Sequence, residues 1–111
     1  MKVIVITSNH SRHREFVDTV ERYTEISHVF VVQKPEGNKN FEASQKEFFG
    51  CKSRGKVKAK VINCTTTQLK STRVKNLISG ISPDICFVFG APLLSKDIYS
   101  IPKHGCVNIP C

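Results

Sequence analysis

Ser82–Cys111, which reads SPDICFVFGAPLLSKDIYSIPKHGCVNIPC, is the stretch that decides the fold. Within it, Ile85–Phe89 is an apolar run without polar alternation, which is typical of a parallel β-strand buried on both faces. Ser95 is a candidate N-cap for a short helix over Lys96–Ser100. Cys106–Ile109 then begins another strand, after a break that contains proline and glycine. A strand, a helix and a strand in succession predict a β-α-β unit of a parallel sheet.

The same alternation of strands and helices extends back toward the amino terminus. There, continuous apolar runs alternate with segments whose apolar residues have helical spacing. The predicted strands are Lys2–Thr7, His28–Gln33 and Ala59–Asn63. The first predicted helix has Ser11 as its N-cap, with Asn9 or Ser8 as alternatives. A second covers Phe41–Phe49, and a third follows a capping-rich loop at Thr65–Thr67 and runs to about Ser79. Their expected core-facing residues are Phe16, Val17, Val20, Tyr23, Val74, Leu77 and Ile78, and Gly80 has the spacing of a C′ glycine. The chain is therefore expected to be α/β: a Rossmann-like open parallel sheet with helices on both faces, ending after about five strands.

Composition is typical of one globular domain. The 111 residues are 40% hydrophobic and 23% charged, and one core can be built from them. No apolar run approaches the ~20 residues that span a bilayer, and the apolar start is too short for a signal peptide. The five cysteines are odd in number and contain no C-x-x-C pair, so neither a disulfide framework nor a zinc site is predicted. These features predict a cytoplasmic protein with reduced thiols, no metal site and no membrane association.

The charge is strongly positive, with 17 Lys and Arg against 9 Asp and Glu, which gives +8. An anionic partner fits this balance: RNA, a nucleotide-sugar diphosphate or a folate polyglutamate tail. A basic surface belonging to a larger, more balanced protein fits it equally well. No aromatic residues interleave with the basic clusters at 52–60 and 70–75, so a nucleic acid is the less favoured partner.

The carboxyl-terminal stretch carries a resemblance to a known family. Its order is Pro-Asp, an apolar strand, Phe-Gly-x-x-Leu-Leu, a short helix, and Ile-Pro-x-x-Gly-Cys-Val-Asn-Ile. This pattern resembles the formyltransferases that use 10-formyltetrahydrofolate, which include methionyl-tRNA, glycinamide ribonucleotide and sugar N-formyltransferases. The segment from Ser8 to His13 is most similar to the sugar N-formyltransferases. The resemblance implies that residues 1–111 are the amino-terminal part of a catalytic domain that formylates an amine, most often of a nucleotide-linked sugar.

Two binding loops follow from this resemblance. The first joins strand one to helix one, where backbone N–H groups and the helix dipole favour an anion. Its expected substrate-binding residues are Ser8, Asn9, Ser11, Arg12 and His13. The second loop would hold the pteridine ring of 10-formyltetrahydrofolate, because glycine lets a flat ring approach the backbone. Its expected cofactor-binding residues are Phe89, Gly90, Ala91, Pro92, Leu93 and Leu94. An ordinary helix-capping loop and a tight strand-to-helix turn explain the same residues without a ligand.

Asn108 is the expected catalytic residue. In the family the motif is Asn-x-His, and the amide helps to stabilise the oxyanion that forms when the amine attacks the formyl group. Here Pro110 occupies the histidine position, and the family's later aspartate lies beyond residue 111. Because one acid-base group commonly contributes ~10²–10⁴ in rate, we expect the 111-residue chain to be inactive as an enzyme. Two other functions fit the residues: a non-catalytic nucleotide- or folate-binding regulatory module, and a basic RNA-interacting domain.

Overall fold

A computed structural model of the protein describes residues 1–9, 11–33, 58–91 and 94–109, apart from the side chains of Ser11 and Arg12. The strands are β1 (Val3–Ser8), β2 (Ile26–Gln33), β3 (Lys60–Thr65), β4 (Ile85–Phe89) and β5 (Cys106–Ile109). The helices are α1 (Ser11–Tyr23), α2 (Thr66–Leu69), α3 (Thr72–Ile81) and α4 (Lys96–Tyr99). The helix predicted over Phe41–Phe49 lies outside the described residues.

The strands form one sheet in the order β3-β2-β1-β4-β5, and every paired neighbour runs parallel. The predicted α/β, Rossmann-like class is therefore confirmed. From β1 the chain proceeds outward through β2 and β3, and then it returns to the other side of β1 as β4. The strand order thus reverses between β1 and β4, and ligands of open α/β sheets bind where this reversal meets the carboxyl ends of the strands.

Apolar side chains fill both faces of the sheet. All of β1 is buried, with Ile4 and Ile6 in one core cluster and Val3 and Val5 in the other. Helix α1 packs on the Val3–Val5 face through Val17, and the other helices cover the opposite face. Helices α2, α3 and α4 contribute five buried side chains to the core on that face: Leu69, Val74, Ile78, Ile81 and Ile98. Because β1 is covered on both sides, it has no solvent-facing position, which explains its continuous apolar sequence.

The single helix predicted after a loop at Thr65–Thr67 and up to about Ser79 is wrong, because the structure has two helices there and the first already covers Thr66 and Thr67. Thr65 and Gln68 form a reciprocal capping box that starts α2: Thr65 Oγ1 accepts from the Gln68 N–H at 3.1 Å, and Gln68 Oε1 accepts from the Thr65 N–H at 2.9 Å. Ser71 then caps α3 by accepting from the Val74 N–H at 3.3 Å. Two successive caps restart the helix, and apolar spacing alone does not reveal such a restart.

Three finer expectations about helices also differ from the structure. Gly80 lies inside α3, and the left-handed residue that ends the helix is Ser82, with φ 52°. Leu77 is 41% exposed because Val74, Ile78 and Ile81 form the inward stripe at i, i+4 and i+7. Tyr23, the last residue of α1, is 86% exposed. The inward stripe of a short helix is thus narrower than its apolar residues suggest.

No helix within the described ranges is long and apolar enough to cross a bilayer.

His28, on β2, makes the stability of the fold depend on pH. Partial burial, followed by the positive charges of Lys60 and Lys2, lowers the pKa of His28 below its ordinary value of 6.5. Below that pH the unfolded chain therefore binds a proton that the folded chain resists, and stability falls as the pH drops through 6.5. We expect His28→Gln to reduce the difference between urea midpoints measured at about pH 7.5 and about pH 5.5. An unchanged or larger difference in the variant would contradict this assignment.

Candidate functional site

The carboxyl ends of β1 and β4 lie side by side at the point where the strand order reverses. Thr7 pairs with Phe89 in the sheet, and the Thr7 hydroxyl donates to the Phe89 carbonyl at 2.6 Å. Gly90 follows with φ 67°, in the left-handed region that glycine adopts readily. This turn leads the chain away from the sheet immediately after β4. The two predicted binding loops are consequently neighbours in space.

His13, in the first turn of α1, bridges these two loops. Its Nδ1 lies 2.6 Å from Ser8 Oγ and 3.2 Å from the Ser8 carbonyl oxygen. Because a carbonyl only accepts, a proton on Nδ1 satisfies the second contact. The imidazole meets the Phe89 ring edge-on at 4.8 Å, and Phe89 stacks on Phe16 at 4.5 Å. His13 is only 6% exposed, so it holds the β1–α1 loop against the end of β4.

The position of the His13 imidazole leaves room only for glycine at residue 90. A Cβ atom at residue 90 would lie 2.3 Å from His13 Cε1 and 2.5 Å from Nε2, well inside van der Waals contact. The glycine was predicted to admit the flat ring of a folate. In the structure, the flat ring that lies over Gly90 is the imidazole of His13.

A row of side-chain amides crosses the same edge of the sheet. Asn9 Nδ2 donates to Gln33 Oε1 at 3.1 Å, and Gln33 Nε2 donates to Asn63 Oδ1 at 2.9 Å. Asn9 and Gln33 are buried, whereas Asn63 is exposed at the outer end of the row. The amides therefore connect the β1–α1 loop to β2 and β3. Sequence reasoning missed Gln33 and Asn63, although a polar residue near the end of an apolar strand was the available signal.

Gln33→Leu is expected to lower the free energy of unfolding by about 1–3 kcal/mol, because it leaves the buried Asn9 amide without its acceptor. Asn63→Ala is the matched control, since it removes the exposed partner of the same amide row and water can replace it. We expect the control to cost less than about 1 kcal/mol. Urea unfolding of the three proteins measures both effects, and an equal cost for the two variants would contradict the role assigned to Gln33.

Asn108 lies on β5 at the same edge of the sheet. It pairs in register with Val88, and Ile109 pairs with Phe89, so the ends of β4 and β5 are level. Asn108 is exposed, and strand alternation places it on the face that carries Cys106 and Val88. The amide row extends instead from β1 toward β2 and β3. The predicted catalytic and substrate residues thus share an edge of the sheet, on strands that are separated by β4.

The other predicted site residues divide between packing and the undescribed part of the chain. Ala91 and Leu94 pack against the core on the α3 face, and Phe89 packs on Phe16. The packing of these three side chains fits the interpretation as a strand-to-helix turn. Pro92 and Leu93 lie outside the described residues, as do the side chains of Ser11 and Arg12.

Concave surface also occurs at the opposite, amino edge of the sheet. A cavity of about 450 Å³ there is lined by Met1, Lys2, Glu25, Ser27 and Asp84. Asp84 accepts from the Lys2 N–H at 2.5 Å, and this bond lowers the pKa of the Asp84 carboxyl. The cavity is open and lies at the starts of the strands, whereas open α/β sheets bind ligands at the strand ends. We therefore place the candidate site at the carboxyl edge.

Within the described ranges, no group of three or more His, Cys, Asp or Glu side chains is arranged to hold a metal ion. No protein-family model matches the chain, and no curated protein gives a significant sequence match.

Proposed function

We propose that the chain binds 10-formyltetrahydrofolate and an anionic, amine-bearing substrate at the carboxyl edge of its sheet, in the cytoplasm, and that formyl transfer is the reaction of this site. The substrate class is a nucleotide-linked amino sugar. The observation that carries the proposal is the position of Asn108. Asn108 is exposed on β5, next to β4 and one strand from the strand-order reversal, within the segment that resembles the formyltransferases.

The β1–α1 loop supports binding of the substrate's anionic part. Helix α1 has 13 residues and no acidic residue in its first turn, so the dipole at its amino end favours a negative charge. Ser8 and His13 hold the start of this helix against the end of β4. The exposed end of the amide row, at Asn63, offers further hydrogen-bonding groups to a sugar or a nucleotide.

The role proposed for Asn108 is electrostatic. In formyl transfer the amine nitrogen attacks the formyl carbon, and the carbonyl electrons move onto the formyl oxygen. The carbon–oxygen double bond would then re-form as the bond from that carbon to N10 of the folate breaks. The proton lost by the attacking nitrogen would end on N10, which gives the formylated amine and tetrahydrofolate. An amide N–H directed at the formyl oxygen stabilises the intermediate charge. Pro110 supplies no acid-base group at the motif position, and the loss of one such group commonly costs ~10²–10⁴ in rate, so we expect the 111-residue chain to be inactive as an enzyme.

Binding therefore tests the proposal more directly than turnover does. We expect saturable binding of 10-formyl-5,8-dideazafolate, a stable analogue of the formyl donor, to the full chain in isothermal titration calorimetry. Asn108→Ala should weaken this ligand about fivefold, the effect of one lost hydrogen bond, and leave unformylated 5,8-dideazafolate unchanged.

The matched control is Asn76→Ala, which removes an exposed asparagine on α3. It should bind both ligands as the unmodified chain does. Absence of binding by the unmodified chain would overturn the folate proposal. Equal weakening of both ligands by Asn108→Ala would contradict the role of Asn108 at the formyl group.

A further inference from the structure

Strands β4 and β5 bring two cysteines together. Cys86 and Cys106 are direct partners in the parallel register. Both side chains belong to the same face of the sheet, where Cys86 lies in the core cluster and Cys106 packs against it. Neighbouring strands are about 4.8 Å apart. That spacing is within the Cα separation of about 4.4–6.8 Å that a disulfide spans.

The two thiols differ in accessibility and in chemistry. Cys86 is 1% exposed, whereas Cys106 is half-buried and reaches solvent. Cys106 Sγ donates to the Tyr99 carbonyl at 3.5 Å, and Cys86 Sγ donates to the Phe87 carbonyl at 3.9 Å. The neighbouring Cys86 thiol lowers the pKa of Cys106. The Cys106 sulfur, together with burial, raises the pKa of Cys86. A third described cysteine, Cys64, is buried apart from this pair, and burial raises its pKa to about 11. Cys106 is therefore the most nucleophilic of these three thiols at neutral pH.

We propose that Cys86 and Cys106 form a reversible thiol–disulfide pair that a low-molecular-weight disulfide such as oxidised glutathione oxidises. The Cys106 thiolate attacks one sulfur of the glutathione disulfide and releases one glutathione thiolate. Cys86 then attacks the Cys106 sulfur of the mixed disulfide, and its proton leaves with the second glutathione. The net reaction converts two protein thiols and one glutathione disulfide into one protein disulfide and two glutathione molecules.

Parallel geometry makes such a bond readily reducible. The Cβ atoms of register partners stay near the strand separation of about 4.8 Å, beyond the ~3.5–4.5 Å that is usual for a disulfide. Closing the bond must therefore pull β4 and β5 together locally. Strained disulfides exchange readily with thiols, which is the behaviour of regulatory rather than structural bonds. Cys106 is two residues before Asn108, so the crosslink would act on the strand that positions that amide.

The test is peptide mapping of the full chain after exposure to oxidised glutathione under native conditions. We expect a disulfide between Cys86 and Cys106 that millimolar reduced glutathione reverses. Cys111 shares a tryptic peptide with Cys106, so Cys111→Ser is mapped in parallel to assign the bond. Before oxidation, iodoacetamide should modify Cys106 at least ~10-fold faster than Cys64. The bond should survive in Cys64→Ser, the control variant.

The proposal is overturned if Cys106 pairs with another cysteine, if a glutathione adduct accumulates at Cys106 without closing onto Cys86, or if Cys64 reacts as fast as Cys106. Cys86→Ala supplies a second readout, because it removes the neighbouring thiol that lowers the pKa of Cys106. Its Cys106 should alkylate more slowly at neutral pH and should stop at the mixed disulfide. These outcomes are independent of folate binding, so the two proposals fail separately.

Discussion

Gly90→Ala is expected to lower the free energy of unfolding by about 2–4 kcal/mol. Two costs combine at this position. The backbone has φ 67°, where an L-residue costs about 1–2 kcal/mol. The added methyl would also lie 2.3 Å from the buried imidazole of His13, which Ser8 and Phe89 hold in place. Urea unfolding of the variant measures the sum.

Two other glycines separate these costs. Gly105 has φ 86° and nothing within 4 Å of an added Cβ, so Gly105→Ala should show the backbone cost alone, about 1–2 kcal/mol. Gly80 lies inside α3 with open space around it, so Gly80→Ala should stabilise by about 0.5–1 kcal/mol. In a His13→Ala background, Gly90→Ala should cost no more than Gly105→Ala does. Full additivity of the His13 and Gly90 variants would contradict the contact between them.

Asp18→Ala is expected to cost about 2–4 kcal/mol, because it removes the carboxylate that faces a buried guanidinium. Arg14 is 2% exposed, and its Nε donates to Asp18 Oδ1 at 3.2 Å across one turn of α1. Removing one member of a buried ion pair leaves the other charge poorly compensated. Arg14 takes part in other interactions as well, which keeps the expected loss below the largest values seen for such pairs.

Asp97→Ala is the matched control for this pair. Asp97 lies 3.9 Å from Lys75, and the two side chains are 74% and 44% exposed. An exposed pair of this kind contributes less than about 1 kcal/mol. Both substitutions place alanine in a helix, so the difference between them reports on burial of the pair. Similar losses of stability for the two variants would contradict a stabilising role for the Arg14–Asp18 pair.

The inner strands β1, β2 and β4 could be predicted from sequence because core residues cover both of their faces. Such strands must be apolar throughout, as Val3–Ile6 and Ile85–Phe89 are. A continuous apolar run can be recognised in a single sequence. The helix boundary between Leu69 and Thr72 could not be predicted in the same way. It depends on hydrogen bonds of Thr65, Gln68 and Ser71 that compete with continuous helix formation.

The location of the candidate site could be predicted from the sequence, but the contacts among its side chains could not. Loops after parallel strands necessarily meet at one edge, so the neighbourhood of Ser8 and Gly90 follows from strand order. The direction of each side chain does not follow. His13 was expected to bind substrate, but it lies over Gly90 and contacts Ser8 and Phe89. Gln33 and Asn63 come from strands far apart in the chain, so only the folded register brings their amides together.

The central claim is that ligands bind at the carboxyl edge of the sheet, where β1, β4 and β5 end. The most direct test is backbone amide NMR of the full chain during titration with 10-formyl-5,8-dideazafolate and, separately, with a nucleotide-linked amino sugar. The account predicts saturable shift changes at Asn9, Gly90 and Asn108. Shift changes centred on the amino edge, at Lys2, Ser27 and Asp84, or no saturable change with either ligand, would contradict it.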